Sequence, residues 1–307
     1  HHHLLIDWFD QTTVHRTYAF EDWKFERTSG SFTPTTDSCP TDTTSPCEDG
    51  MDVAFMFDYT NSMEPYITSI RNSVPAIVTQ IQNLMASSSG IVADYQLSLT
   101  LVDEVDIAGG PLPFYVEDFS TGLPHTHYDA LSSAQKYVSP DVPGNIIDCP
   151  NDGVAKTMRQ YITNMESFAL NNSATFTTQL GKIYNSADTT TMPLGQGAGY
   201  PEPTDIAIDM IASQAFGGSW RSNVAKYIVL FTDALPGGND DCFAADDVVA
   251  MAALTADLVA AGIKVMVVGS GVTITTAWGN PWQDLCDATG GVWDEAANGD
   301  YAQAVIN

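Results

Sequence analysis

Apolar residues fall into two alternating rhythms along this chain. Asp52-Val53-Ala54-Phe55-Met56-Phe57 is a short apolar run ending on Asp58, the pattern of a parallel strand buried on both faces. From Glu64 to Met85 the apolar positions Ile67, Ile70, Val74, Ile77, Val78, Ile81, Leu84 and Met85 recur at intervals of three and four, which predicts an amphipathic helix. The alternation then repeats. Tyr95 to Val105 reads as a strand, Lys226 to Thr232 as a fully buried one and Lys264 to Gly269 as another, with a helix over Ala244 to Ala261 between the last two. Asn151 to Ala169 and Ala174 to Tyr184 look helical, and Asn185 to Pro203 is a Gly-rich loop. Strands alternating with helices predict an α/β fold: a doubly wound, mostly parallel sheet flanked by helices.

Two stretches break the rhythm. Up to about Thr28 the chain is aromatic and alternating (Trp8, Phe9, Tyr18, Phe20, Trp23, Phe25), as suits strands that pack on something else. Ser29 to Gly50 is rich in Ser, Thr, Pro and Asp, as in a linker. The expected organisation is therefore an aromatic N-terminal extension and linker over 1–50, then one domain over 51–307. Asp106 to Pro150, with its Gly, Pro, His and aromatic residues, is too long for an ordinary connection and reads as a surface insertion of that domain. His1-His2-His3 reads as a tag or processing remnant and receives no function.

Composition narrows the partners. The chain has 11 Lys+Arg against 38 Asp+Glu in 307 residues, a formal net charge of −27, which repels nucleic acid and anionic membranes and attracts cations. No apolar run reaches the roughly 18 residues of a membrane span. Cys39, Cys47, Cys149, Cys242 and Cys286 form no CxxC zinc pair; in an acidic, Lys-poor, Thr/Ser-rich chain they point to an extracellular or cell-surface setting. Cys39 with Cys47 and Cys242 with Cys286 are the candidate bridges, with free buried thiols as the alternative. Asn171-Asn172-Ser173 fits a glycosylation sequon.

The chemistry concentrates after the first buried strand. Asp58-Tyr59-Thr60-Asn61-Ser62 puts three oxygen-bearing side chains at alternate positions at a strand's carboxyl end, where open α/β sheets bind ligands. A hard cation is the natural occupant: Mg²⁺ takes about six oxygens at roughly 2.1 Å, and hydroxyls mixed with carboxylates supply them without excess charge. Thr60 and Ser62 can ligate directly, with Asp58 orienting them or holding water. The most hydrophobic strand ends at Thr232-Asp233-Ala234-Leu235-Pro236-Gly237-Gly238, which brings Asp233 towards the same edge.

Asp58-x-Thr60-x-Ser62-Met63 resembles the metal-ion-dependent adhesion site of von Willebrand factor A (VWA) domains, and Phe231-Thr232-Asp233-Ala234 resembles that family's second aspartate loop. Tyr200-Pro201-Glu202 ahead of the Ala207-Ile208 helix, and Gly218-Ser219-Trp220-Arg221 ahead of the Lys226 strand, resemble the I-like domain of integrin β subunits. The resemblance runs from Met51 to Asn307, and Leu285 to Gly291 match the approach to the last strand. It implies a VWA/Rossmann-like fold and a metal set of Asp58, Thr60, Ser62, Glu202 and Asp233, with Glu202 a direct ligand; Thr204 or Asp205 could serve in its place. Pro65 and Tyr66 stand where integrin β domains carry regulatory aspartates, and Gly197 and Gly199 replace residues of a third site, so a single ion is expected.

The cofactor expected on this basis is Mg²⁺, with Ca²⁺ or Mn²⁺ as alternatives. The function expected is extracellular metal-dependent adhesion: capture of an acidic group of a protein ligand or neighbouring subunit through an open coordination position. The alternative is a structural subunit of a surface filament, pilus or virion whose metal site is mainly stabilising. No Ser/His/Asp order, phosphate loop or HExxH supports an enzyme. Asp240, Asp241, Asp246 and Asp247 read as a solvated helix cap and His125 and His127 as exposed loop histidines.

Overall fold

The computed structural model describes residues 27–28, 31–32, 50–87, 94–106, 112–113, 115–118, 123–140, 158–197, 201–213, 216–237, 243–270, 276–296 and 301–306. The chain divides into two compact units, His1–Asp49 and Gly50–Asn307. In the first, Arg27–Thr28 pairs antiparallel with Ser31–Phe32; the aromatic residues before Arg27, the Cys39 and Cys47 pair and the three leading histidines lie outside the described residues.

The second unit is built on a seven-stranded mixed sheet. Its strands are β1 (Gly50–Asp58), β2 (Asp94–Asp106), β3 (Lys136–Val138), β4 (Met158–Glu166), β5 (Ala225–Thr232), β6 (Ile263–Gly269) and β7 (Trp293–Glu295). They lie in the order β7-β6-β5-β1-β2-β4-β3. All neighbours from β7 to β2 are parallel; β4 is antiparallel to both β2 and β3. The chain winds one way from β1 to β2 and the other way from β5 through β6 to β7, as a doubly wound sheet does. The reversal falls between β1 and β5, which pair directly with Phe57 beside Phe231.

Helices cover both faces. Helices α1 (Glu64–Ser87), α2 (Ser173–Leu180) and α6 (Tyr301–Ile306) bury Ile67, Ile70, Val74, Phe176, Leu180 and Tyr301 against Val53, Phe55 and Phe57 of β1 and Val229 and Phe231 of β5. Helices α3 (Thr204–Ala212), α4 (Ala245–Ala261) and α5 (Pro281–Thr289) bury Ile208, Ile211, Leu254, Leu258, Trp282 and Leu285 against Ala54, Met56, Ile228 and Leu230. Alternate residues of one strand thus enter opposite cores, which explains why β1 and β5 read as unbroken apolar runs. The doubly wound, helix-flanked fold expected from the pattern is the one observed.

Three expectations need correction. The helix expected over Asn151 to Ala169 is β4 over its described part: Tyr161, Thr163 and Met165 alternate with Gln160, Ile162 and Asn164, and both sets are buried because the two faces of β4 enter opposite cores, Tyr161 and Met165 one and Ile162 the other. The 106–150 stretch is not purely a surface insertion. It supplies β3 to the sheet and buries Tyr115 and Tyr128, which pack edge to face 5.7 Å apart. Nor is Cys286 half of a bridge with Cys242: it is a free thiol buried between α5 and β6, while Cys242 lies outside the described residues.

Candidate metal centre

Asp58 closes β1, and the next peptide still follows the ladder, Tyr59 N–H donating to the Val102 carbonyl at 2.7 Å. Thr60 then has extended backbone and leads into a one-turn 3₁₀ helix, Asn61–Met63, that feeds α1. This turn folds the hydroxyls back over the strand end. Thr60 Oγ1 donates to Asp58 Oδ1 at 2.7 Å, lies 2.9 Å from Ser62 Oγ, and Ser62 Oγ is 3.0 Å from Asp233 Oδ1. The other Asp58 oxygen accepts from Thr232 Oγ1 at 2.8 Å, tying the ends of β1 and β5 together at the reversal point.

Glu202 arrives from a third segment. Its N–H donates to the Leu235 carbonyl and its own carbonyl accepts from Gly237 N–H, both at 3.0 Å, a bridge that fixes it to the loop after β5. Gly237 is required there, because a Cβ would run into the Pro201 ring. Thr204, the alternative ligand, turns its hydroxyl onto the Glu202 carbonyl at 3.4 Å and opens α3. Glu202 Oε1 and Thr60 Cβ flank one small space, 3.3 Å and 3.1 Å from where a Cβ of Gly197 would sit. Asp58, Thr60, Ser62 and Asp233 therefore form one hydrogen-bonded chain with Glu202 beside it.

Burial is graded across this group. Asp58 and Thr60 are 0% and 1% exposed, Glu202 3% and Asp233 7%, whereas Ser62 is exposed, so the group has a dry floor and one wet rim. Burial is the first cause that raises the pKa of Asp58, of Glu202 and of Asp233, the last to about 7. Neighbouring carboxylates push in the same direction: Glu104, Asp58, Asp103 and Asp233 all raise Glu202.

Two further observations bear on what this group can hold. Glu202 Oε2 is buried with no hydrogen-bond partner among the described residues, and such an atom is costly unless something charged meets it. The hydroxyls of Thr60 and Ser62 have two protons between them for three short oxygen contacts, to Asp58, to each other and to Asp233. Either one of the flanking carboxylates, Asp58 or Asp233, carries the missing proton or a cation takes its place. Among the described residues no three His, Cys, Asp or Glu side chains converge on one point, so the two hydroxyls are indispensable to any such site. The donor set fits a hard divalent ion.

Sequence reasoning missed three contributors. Thr232 carries no signal of its own in the sequence, yet its hydroxyl holds Asp58. Tyr59 donates its phenol proton to the Met192 carbonyl at 2.9 Å and accepts from Tyr184 N–H at 2.8 Å, pinning the metal loop to the 184–192 loop. Asp103, fully buried near the end of β2, accepts from Gln196 and Gly197 N–H; a carboxylate inside the apolar run Leu101-Val102-Asp103-Glu104-Val105 was a visible signal. Of the other acids, Asp247 accepts from Ala244 N–H at 2.7 Å as a helix cap, and Asp240 and Asp241 lie outside the described residues. His125 Nδ1 accepts from His127 N–H at 3.4 Å at the head of a single helical turn.

No protein-family profile and no curated protein matches the chain. Among solved structures it is similar to proximal thread matrix protein 1 of the mussel byssus, in one structure with a zinc-occupied MIDAS motif (11% identity, TM-score 0.44, 85% of this chain and 45% of that one). A second structure of that protein aligns at 11% identity and TM-score 0.45, over 85% and 46%. The chain spans less than half the length of these structures. Among the described residues no helix is long and apolar enough to cross a membrane.

Proposed function

We propose that Gly50–Asn307 is a VWA-type binding domain, of the integrin β I-like variety, that captures an acidic group of a protein partner outside the cell through one divalent ion. The observation that carries this reading is the oxygen group itself: three short contacts with two protons to share, beside a buried carboxylate oxygen that lacks a partner. Thr60, Ser62 and Glu202 would hold the ion, with Asp58 and Asp233 accepting hydrogen bonds around it. Hydroxyl and carboxylate oxygens, with no sulfur or imidazole beside them, suit a hard ion such as Mg²⁺, with Ca²⁺ or Mn²⁺ as alternatives.

When bound, the ion supplies a Lewis-acidic position that a partner's carboxylate can fill. The protein residues orient and insulate. Asp58, held by Thr232, fixes the Thr60 hydroxyl from below; the buried floor excludes water, which strengthens any charged contact made at the rim; Ser62 marks the side from which a partner approaches. We propose binding, not turnover: Asp58 and Asp233 are engaged with the hydroxyls of Thr60 and Ser62, and Glu202 is assigned to the ion.

Isothermal titration of EDTA-treated protein with MgCl₂ tests the reading, with Asp58→Ala as the control. A single site in the wild type, lost in Asp58→Ala while the chain stays folded, is the expected result. If no ion binds, the reading is wrong. If Mg²⁺ raises the melting temperature yet chelation leaves the affinity for a purified partner unchanged, the site is structural instead.

A further inference from the structure

Glycines 195 and 197 lie between two parts of the site that the sequence does not connect. Gly195 N–H donates to the Tyr59 carbonyl at 2.8 Å, inside the metal loop. Its Cα rests on the Asp103 carboxylate so closely that a Cβ would occupy the carboxylate's own position. The next two N–H groups, of Gln196 and Gly197, donate to Asp103 Oδ2 at 3.3 Å and Oδ1 at 3.0 Å. Gly197 then takes a left-handed φ of +62°, open to glycine at little cost, and its α-carbon faces Thr60 and Glu202 together. Asp103 is 0% exposed and paired into the strand beside β1, where Val102 stands opposite Asp58, so the carboxylate is an anchor with little freedom to move.

We propose that Asp103 is a positioning residue for the ion site: it clamps the 195–197 strap and thereby sets the spacing between the Thr60 hydroxyl and the Glu202 carboxylate. The inference rests on the metal reading above and assigns Asp103 no contact with the ion. A strap released from Asp103 leaves the half-buried Gln196 and Gly197 N–H groups without their acceptor and lets Gly197 withdraw from the space it shares with Thr60 and Glu202. Residues that orient direct ligands typically cost about 10–100-fold in metal affinity when changed. A clamp made by close approach is also sensitive from its other side, because a methyl group at Gly195 must displace the same carboxylate.

The test uses the full chain, freed of metal with EDTA and titrated with MgCl₂ by calorimetry and with MnCl₂ by electron paramagnetic resonance. Asp103→Ala and Gly195→Ala should each weaken binding at least 10-fold, and the double variant should be no weaker than the worse single one, since both changes undo one contact. Asp103→Asn, which keeps an acceptor for Gly197 N–H, should recover part of the affinity; if Asp103→Ala does not fold, it and Gly195→Ala carry the test. Arg221→Ala, destabilised at the opposite end of β1, should bind as the wild type does. Wild-type binding with variants within two-fold of it, or an equal loss in Arg221→Ala, overturns this inference alone. A wild-type chain that binds neither ion overturns the metal reading, and this one with it.

Discussion

In the metal-free protein, stability should fall as the pH rises from 5 to 7, and Asp233 should account for a measurable share of the fall. Its carboxyl is pushed up to about 7 from 3.8, first by burial and then by the charge of Asp58. A carboxyl raised in this way keeps its proton in the folded chain after the unfolded chain has released it. Its stabilising contribution is complete below the unfolded value and is removed as the pH climbs through the folded one. Each proton so retained costs about 1.4 kcal/mol per pH unit, so Asp233, half ionised at the top of the window, contributes about 2 kcal/mol of lost stability between pH 5 and 7. For a domain of this size that corresponds to about 4–8 °C in melting temperature.

Self-repulsion of a chain at net charge −27 acts in the same direction, so the measurement is a difference. Asp233→Asn keeps the side-chain volume and an acceptor for Ser62 but removes the titration. Scanning calorimetry of EDTA-treated wild type and variant at pH 5, 6 and 7 should find the wild-type decline steeper by that amount. Excess Mg²⁺ should raise the wild-type melting temperature more at pH 7 than at pH 5, because the ion's charge opposes the proton on Asp233 beside it and binding favours the ionised carboxylates. Parallel declines in the two proteins would refute the reasoning, since Asp233 would then not hold a proton in the fold.

Other substitutions separate the site from its frame. Thr60→Val, nearly isosteric, should lower Mg²⁺ affinity at least 10-fold in a calorimetric titration while costing the metal-free fold only about 1–3 kcal/mol for the donor withdrawn from Asp58. Arg221→Ala should destabilise by about 3–5 kcal/mol in urea, because Asp52, 0% exposed, would lose its 2.7 Å guanidinium partner. Cys286, its thiol pushed up to about 12 by burial, should react with a thiol reagent only after unfolding; prompt reaction of this thiol in the native chain would contradict its place in the core.

Most of the central sheet was legible because its strands face two cores. Val53, Phe55 and Phe57 enter one and Ala54 and Met56 the other, so β1 had to be apolar throughout. Helix α1 was legible for the opposite reason: one face only is buried, and its positions recur at the helical period. β4 failed because its partners lie elsewhere in the chain. Asn164 is a buried polar residue, and its Nδ2 donates to Ser98 Oγ and the Leu99 carbonyl at 3.2 Å. Polar residues satisfied across a sheet look, in a local window, like the wet face of a helix.

The site divides along the same line. Asp58, Thr60 and Ser62 were legible because alternate oxygens after a buried strand can meet by local folding alone. Asp233 needed one further premise, that two parallel strands end side by side, and the 3.0 Å contact across 171 residues is the result. Glu202 required more than a strand end: its place comes from a two-bond bridge to Leu235 and Gly237 and from a glycine with no room for a side chain. Asp103 is the extreme case, meaningful only once Gln196 and Gly197 lie over it. Local pattern therefore identifies the oxygens that a turn can gather. What holds them at a fixed spacing is long-range packing, and buried acids such as Asp103, carried in apolar strands one ladder away, are where that part of the design leaves its trace in sequence.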